Sequence, residues 1–376
     1  MEYLAFLQFV NVIVFASAAF LCWILAGICI KVSYRFDMLD YPQGRKAHLR
    51  PMPFLGGAAV FVSFWSVVFA GVFAAQNFLP GSAKIALLLS SVRSVSDKLS
   101  GIFLGGLVIF LVGLYDDKFS WTPLRKLAGQ CVAAGILMSF GFTINLVSGL
   151  GAAGYVITFL WILMIINAFN FIDSLDGHCT GVALISMIMF FWTTQIINQP
   201  MIGMLLLAFA GSLLGFLPHN FKPARIFLGD NGSLFIGYMA AAFAMLCKYQ
   251  VPDATYVTLL IPVLMFGVPI YDTMSVIVVR LSRGVAPWKG DRNHFAHRLV
   301  KMGMSDRVAV VFSYFIATTT GLVAVLTTQV DFLGAVLVAL IFLSIIGVIA
   351  FLEYYAAENA RVAGKRAGRR RPAATV

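Results

Sequence analysis

Apolar runs near the length of a bilayer span, each cut from the next by a short polar break, constrain this 376-residue chain more than any other feature. A transmembrane helix needs about 20 consecutive apolar residues to cross a hydrocarbon slab roughly 30 Å thick. Eleven runs approach that length: 4–31, 54–76, 101–115, 126–147, 154–171, 179–197, 201–217, 233–248, 255–279, 307–328 and 332–352. The third is short. With 60% hydrophobic and 11% charged side chains, the chain carries more apolar surface than one water-soluble core can hide. The expected fold is an all-α polytopic integral membrane protein with about 11 transmembrane helices. A soluble enzyme, a disordered scaffold and a secreted disulfide protein are excluded. Cys22, Cys29, Cys131, Cys179 and Cys247 lie in or at the ends of apolar runs, with no pair at metal-ligand spacing. Residues 77–100 read as an extramembrane connection, with Ile85 to Leu89 able to make a small interfacial helix.

An odd number of spans puts the termini on opposite sides, so alternate loops can be pooled and their basic residues compared. The loops after spans 1, 3, 5, 7 and 9, with the C-terminal tail, hold 23 of the 27 Lys and Arg residues; the others are Lys84, Arg93, Lys98 and Lys248. This predicts an N-terminus outside and a C-terminus in the cytoplasm. The first basic residue is Lys31, so the first span lacks the basic n-region of a cleaved signal peptide. The net charge of +11 is therefore read as positive-inside sorting, and no nucleic-acid partner is expected. All five histidines (His48, His178, His219, His294, His297) and 12 of the 16 carboxylates fall on the same side. Asp and Glu contribute little to orientation, so this crowding needs another cause, and a catalytic face is the simplest. No internal repeat is evident. One transmembrane catalytic domain is expected over 1–352, and 353–376 reads as a disordered basic tail lying against anionic lipid.

Four segments on that face carry chemistry. Asp116 and Asp117 close the third run, with Arg125 and Lys126 close behind; the pair reads either as a solvated helix end or as carboxylates awaiting a cation. Asn167-Ala-Phe-Asn170-Phe-Ile-Asp173-Ser-Leu-Asp176-Gly177-His178 follows span 5, and three-residue steps can put Asn170, Asp173 and Asp176 on one helical face. Such a face suits a hard cation or the polar edge of a nucleobase, the alternative being a hydrated loop with helix-capping Asp and Asn residues. The third segment runs from His219 to Ser233. In it Lys222 and Arg225 can hold phosphate, while Asp230 either caps a helix or binds metal. The last, Pro287 to Leu299, spaces His294 and His297 three apart among arginines, which favours phosphate or sugar over zinc. Walker A, Rossmann and Gly-x-Ser-x-Gly signatures are missing from the sequence. Acids beside bases suggest a diphosphate held with a divalent metal.

In this order the segments resemble the polyprenyl-phosphate N-acetylhexosamine-1-phosphate transferase family, of glycosyltransferase 4 type. It includes bacterial lipid-carrier GlcNAc-1-phosphate transferases and phospho-MurNAc-pentapeptide transferase. The likeness covers residues 35–305 through Gly44-Arg45-Lys46-Ala-His48 with Pro51-Met-Pro53-Phe-Leu-Gly56-Gly57, the Asp116-Asp117 pair with Lys126-Leu-Ala-Gly-Gln130, the Asn-x-x-Asn-x-x-Asp-x-x-Asp-Gly run, Phe227-Leu-Gly229-Asp230-Asn-Gly232-Ser233 and the His/Arg loop. The resemblance implies that a membrane polyprenyl (undecaprenyl) phosphate attacks the β-phosphorus of a UDP-N-acetylhexosamine, releasing UMP and leaving a lipid-diphosphate-sugar. This is the first membrane step of a cell-envelope glycan pathway such as lipopolysaccharide, teichoic acid, O-antigen or cell wall synthesis, at the cytoplasmic face of the inner (plasma) membrane. The implied cofactor is Mg²⁺, with Mn²⁺ as a substitute; a homodimer is left open. Residue by residue, Asp230 and Asn170 would hold the metal, Asp116 would accept the lipid phosphate's proton or orient that phosphate with Asp117 beside it, and Asp173 would support the metal electrostatically. Phe227 would lie against uracil and Asp176 near its polar edge, while Lys46, Lys126, Arg292, His294, His297 and Arg298 would contact phosphates or sugar. Ala296 stands where related loops carry a middle histidine, which favours a GlcNAc-type donor, and Ser174 replaces a usual Gly. Asp272, inside span 9, reads equally as structural or catalytic. One-step transfer and a covalent Asp intermediate both fit. The alternative of another class is a transporter or flippase of an anionic lipid or nucleotide sugar, whose site would lie near mid-bilayer at broken helices.

Overall fold

The computed structural model describes residues 2–42, 50–77, 96–144, 149–249, 260–286 and 293–369. Apart from a two-residue antiparallel pair, β1 (Leu39–Asp40) with β2 (Met52–Pro53), the described elements are helical. They are α1 (Glu2–Arg35), α2 (Gly56–Asn77), α3 (Ser96–Phe119), α4 (Pro123–Ser139), α5 (Ala152–Ile172), α6 (His178–Ile196), α7 (Pro200–Asn220), α8 (Asp230–Leu246), α9 (Leu260–Met265), α10 (Gly267–Ser282), α11 (Phe295–Lys301), α12 (Asp306–Thr327) and α13 (Phe332–Arg369). Eight of these are long and apolar enough to cross a bilayer, so the chain is a polytopic membrane protein. The short third run belongs to a full 24-residue helix. Three expected spans fall outside the eight. Residues 126–147 and 233–248 correspond to the 17-residue helices α4 and α8, each about 25 Å long at 1.5 Å per residue. Residues 255–279 are interrupted at Phe266, between α9 and α10.

That interruption has a local cause. Pro269 lacks the N–H that would bond the Met265 carbonyl, and the freed carbonyl instead accepts the Ser186 hydroxyl of α6 at 2.9 Å. The bundle is built around α8, which packs on α2, α3, α5, α6 and α7. Its sequence is apolar on every side with Gly and Ala interspersed, and nearly all of its residues are buried. Small residues let neighbouring backbones come close where lipid supplies no hydrophobic drive between helices. Phe64, Phe209 and Phe235 lock the core through edge-on ring contacts at 5.4 and 5.8 Å. In the outer helices, little of the apolar stretch Ala5–Arg35 of α1 or Leu333–Tyr355 of α13 is buried inside the protein.

Two expectations need correction. Residues 353–369 continue α13 as helix instead of forming a disordered tail, in keeping with their Ala, Glu, Arg and Lys content. Asn170, Asp173 and Asp176 do not share one helical face, because α5 ends at Ile172 and Asp173 is its C-cap. The interfacial helix at 85–89 lies outside the described residues.

Candidate active site

The first turn of α8 is the centre of the site, and the chain holds it in place from three directions. Before it, the loop 221–229 lies along β2: Phe227 N–H donates to Pro53 O at 2.8 Å, while Gly56 N–H and Gly57 N–H donate to Phe227 O and Leu228 O at 3.1 and 2.9 Å. These carbonyls take the otherwise orphaned first donors of α2. Gly229 then turns the chain at φ 75°, where a Cβ would stand 2.5 Å from Phe54 O and 2.8 Å from Asp117 Oδ2. From α3, Gly113 lets the two backbones touch, since a Cβ there would lie 2.4 Å from Asp230 O.

Asp117 and Asp230 divide the roles that spacing alone left open. Asp230 does not cap α8; no side chain of the preceding residue does so either. Asp117 does, across the bundle: its carboxylate accepts Asp230 N–H at 2.8 Å, Asn231 N–H at 3.0 Å and Asn231 Nδ2 at 2.6 Å. Asp117, expected beside the reacting phosphate, is thereby turned away into the fold. Its neighbour Asp116 faces the other way. Asp116 accepts Trp121 N–H at 2.7 Å on one oxygen and pairs with Lys126 Nζ at 3.0 Å on the other. The same ammonium pairs with Asp230 Oδ2 at 2.7 Å. Asp230 Oδ1 accepts Asn170 Nδ2, which also donates to Ser233 Oγ at 2.8 Å. Asp116, Lys126, Asn170 and Asp230, from four helices, therefore meet. Asp230 keeps 29% of its side chain exposed against 10% for Asp116, so Asp230 is the member a ligand reaches.

The turn between α5 and α6 supplies the next wall. Asp176 accepts Ala224 N–H at 3.2 Å and so ties this turn to the loop before α8. Buried Asn220, unmarked in the sequence reading, accepts Gly177 N–H and the Thr180 hydroxyl and donates to Ile226 O. Asp173 has no hydrogen bond to its carboxylate among the described residues. Burial, with Asp230, Asp117 and Asp176 nearby, pushes it well above the ordinary carboxylate range. Phe227 is half-buried.

The final His/Arg segment joins this end of the bundle through Phe171, whose ring lies 5.7 Å from the His294 imidazole and 5.9 Å from the buried Arg280 guanidinium. His294 Nδ1 lies 2.8 Å from Asp272 Oδ2, and Phe295 N–H donates to the other Asp272 oxygen. His297 is half-buried on α11, and Ala296 is fully buried. Arg298 departs from its expected place on phosphate. Its guanidinium is spent inside the protein, on Glu353 Oε1 at 2.8 Å, Ser275 Oγ at 2.7 Å and Asn293 O, which fastens α11 to α10 and α13. Lys222 likewise pairs with Asp306. Lys46 and Arg292 lie outside the described residues. Asp272 stands out in the sequence as a polar group inside an apolar run, which marks a residue without naming its partner; Asn220, Asn231 and Arg280 lie in polar connections, where nothing local sets them apart.

Among the described residues no three His, Cys, Asp or Glu side chains close into a metal cage. The donors that do converge are hard oxygens: the carboxylates of Asp116 and Asp230 and the Asn170 carboxamide. Such a set fits Mg²⁺, which takes one or two carboxylates and completes its shell with water and substrate phosphate.

Comparison with known proteins identifies the family. Residues 99–248, from α3 through α8, match the family model described as glycosyl transferase family 4. A Bacillus subtilis protein described as a probable undecaprenyl-phosphate N-acetylglucosaminyl 1-phosphate transferase is 31% identical over 81% of this chain and 81% of its own length. The decaprenyl-phosphate N-acetylglucosaminephosphotransferase of Mycobacterium leprae is 31% identical over 79% of each chain. The undecaprenyl-phosphate alpha-N-acetylglucosaminyl 1-phosphate transferase of Thermotoga maritima is 30% identical over 74% of this chain and 78% of its own.

Proposed function

Because this chain belongs to glycosyl transferase family 4, we propose that it transfers N-acetylglucosamine-1-phosphate from UDP-GlcNAc to a membrane polyprenyl phosphate. A phosphate oxygen of the lipid bonds to the β-phosphorus, the bond from that phosphorus to the bridging oxygen breaks, and UMP leaves with the bridging oxygen. The observation that carries the reading is Lys126 held between Asp116 and Asp230, with Asn170 fixed on Asp230. Asp116 is placed to orient the lipid phosphate and take its proton. Lys126 is released toward phosphate oxygens when substrate competes for it. Mg²⁺, held by Asp230 and Asn170, would supply positive charge to the diphosphate. The buried Ala296, leaving no third histidine on α11, supports a GlcNAc-type donor over the MurNAc-pentapeptide type.

The reading places α4, α8 and the broken α9–α10 pair as three further crossings, eleven in all, with the site at the cytoplasmic face of the inner membrane. The positive-inside count supports that orientation. A transporter or flippase finds no support. Its binding groups would sit at a broken helix in mid-bilayer, whereas here the freed carbonyl at the break is taken by Ser186 and the acidic cluster lies at helix ends.

The test is UMP release by the purified protein from UDP-GlcNAc. Release that requires both polyprenyl phosphate and Mg²⁺ is expected; release without lipid acceptor, or none with both present, overturns the reading.

A further inference from the structure

Asp272 is fully buried and lies on a helix expected within the membrane, and among the described residues its carboxylate has two hydrogen-bond partners, both at the start of α11. One oxygen lies 2.8 Å from His294 Nδ1 and the other accepts Phe295 N–H. His294 is the N-cap residue of α11, yet its own side chain caps nothing, so the helix depends on Asp272 for this service. A carboxylate only accepts hydrogen bonds, so Nδ1 carries the proton in this pair, and Nε2 is the nitrogen that can address a substrate. Other contacts make α11 rigid. Ser275 donates to Asp272 O and accepts Arg298, and Glu353 holds Arg298 from α13. The ring rests against Phe171, next to Asn170 of the acidic cluster.

We propose that Asp272 is a positioning residue for the transfer reaction, acting through His294: it fixes the imidazole tautomer and the start of α11 so that Nε2 is presented to the diphosphate-sugar. The proposal rests on the function inferred above for its kinetic arm, and has a second arm that does not. Asp272 touches no reacting atom, and the burial that denies it substrate is what makes its grip on His294 stiff.

Asp272→Asn is the informative change, because it keeps the shape and one acceptor for Phe295 N–H but offers amide donors where Nδ1–H needs an acceptor. Taking the orienting partners of metal-bound histidines as the guide, loss of this one is expected to cost about 10–100-fold in activity. The expectation is a kcat lower by that factor with KM within about threefold, and recovery of part of the loss in Asp272→Glu. In the His294→Ala background, Asp272→Asn should cost little more, since the pair acts as a unit. An equal cost in both backgrounds would show that Asp272 merely supports the fold, and would overturn the proposal. The second arm is ¹⁵N NMR of histidine-labelled protein, with the His294 signal assigned by its absence from His294→Ala. An Nδ1-protonated signature in the wild type that changes in Asp272→Asn is expected. Its absence from the wild type refutes the proposal even if the chain fails to turn over UDP-GlcNAc, and its presence keeps the pairing distinct from an error in the proposed substrate.

Discussion

Asp117 and Asp272 occupy different helices and perform a similar service at different places. Each reaches across the bundle to the first N–H groups of another helix, α8 in one case and α11 in the other. What they hold differs. Asp117 grips backbone and the Asn231 carboxamide, and the side chain it places, Asp230, pairs separately with Lys126. Asp272 grips one backbone N–H and the His294 imidazole itself. The first arrangement fixes where a charged group stands; the second also fixes which way a ring points and which nitrogen is protonated. A buried carboxylate at a helix start is thus a general tool, and the identity of the second acceptor contact decides whether it sets position or chemistry.

The largest effect expected from this contrast is chemical. Asp230→Asn keeps the α8 cap, since Asp117 binds the backbone at that residue, but removes the charge facing ligand. Transfer should fall by at least about 10²–10³, the scale for losing one electrostatic contact to developing charge, with unfolding temperature nearly unchanged. Near-normal turnover by this variant would move the centre of the site away from α8.

Asp117→Ala should behave the opposite way. It strands two backbone donors and a carboxamide donor, at about 1–3 kcal/mol for each buried group left unpaired, so thermal unfolding in micelles should drop steeply and activity should follow stability. Gly113→Ala attacks the same place sterically, because its methyl would meet the Asp230 carbonyl at 2.4 Å. Overpacking of this kind costs about 1–3 kcal/mol. If either variant lost activity while keeping wild-type stability, Asp117 would have to face substrate after all. A smaller effect is expected from Glu353→Gln. One hydrogen bond to Arg298 can survive, so the change should cost about 1 kcal/mol or less in stability and under threefold in kcat; a larger kinetic loss would give the α13 clasp a part in turnover.

Part of this arrangement was legible in the sequence: the order of the apolar runs puts Asp116, Lys126, Asn170 and Asp230 at one membrane edge, and the family resemblance singles them out among the many polar groups there. Allocation within the cluster could not be read. Nothing in Asp116-Asp117 says which carboxylate turns inward, because the choice depends on α8 arriving within touching distance of Gly113. Arg298 looked like a phosphate ligand because its partner Glu353 lies 55 residues away on the last helix. The apolar runs were legible, but not which helices would be short or broken: α8 is hidden by protein on all sides and needs no lipid-facing length, and the α9–α10 break requires a hydroxyl from α6 that no local pattern announces.

Asp173 sharpens the comparison from the other side, as a carboxylate in the same cluster with no donor assigned to it among the described residues. Its folded-state pKa stands above the ordinary value near 3.9 of an unfolded chain, so between those values the folded protein binds more protons than the unfolded one. Stability must then fall as pH rises from about 4 through the folded value, with a slope bounded by about 1.4 kcal/mol per pH unit for one proton. Asp173→Asn stays neutral throughout. In metal-free buffer the variant should match the wild type near pH 4 and exceed it in unfolding temperature increasingly toward pH 8. Parallel curves for the two proteins would mean that the carboxylate finds a donor in solution, and would place Asp173 with Asp117 and Asp272 among the residues that hold the site together.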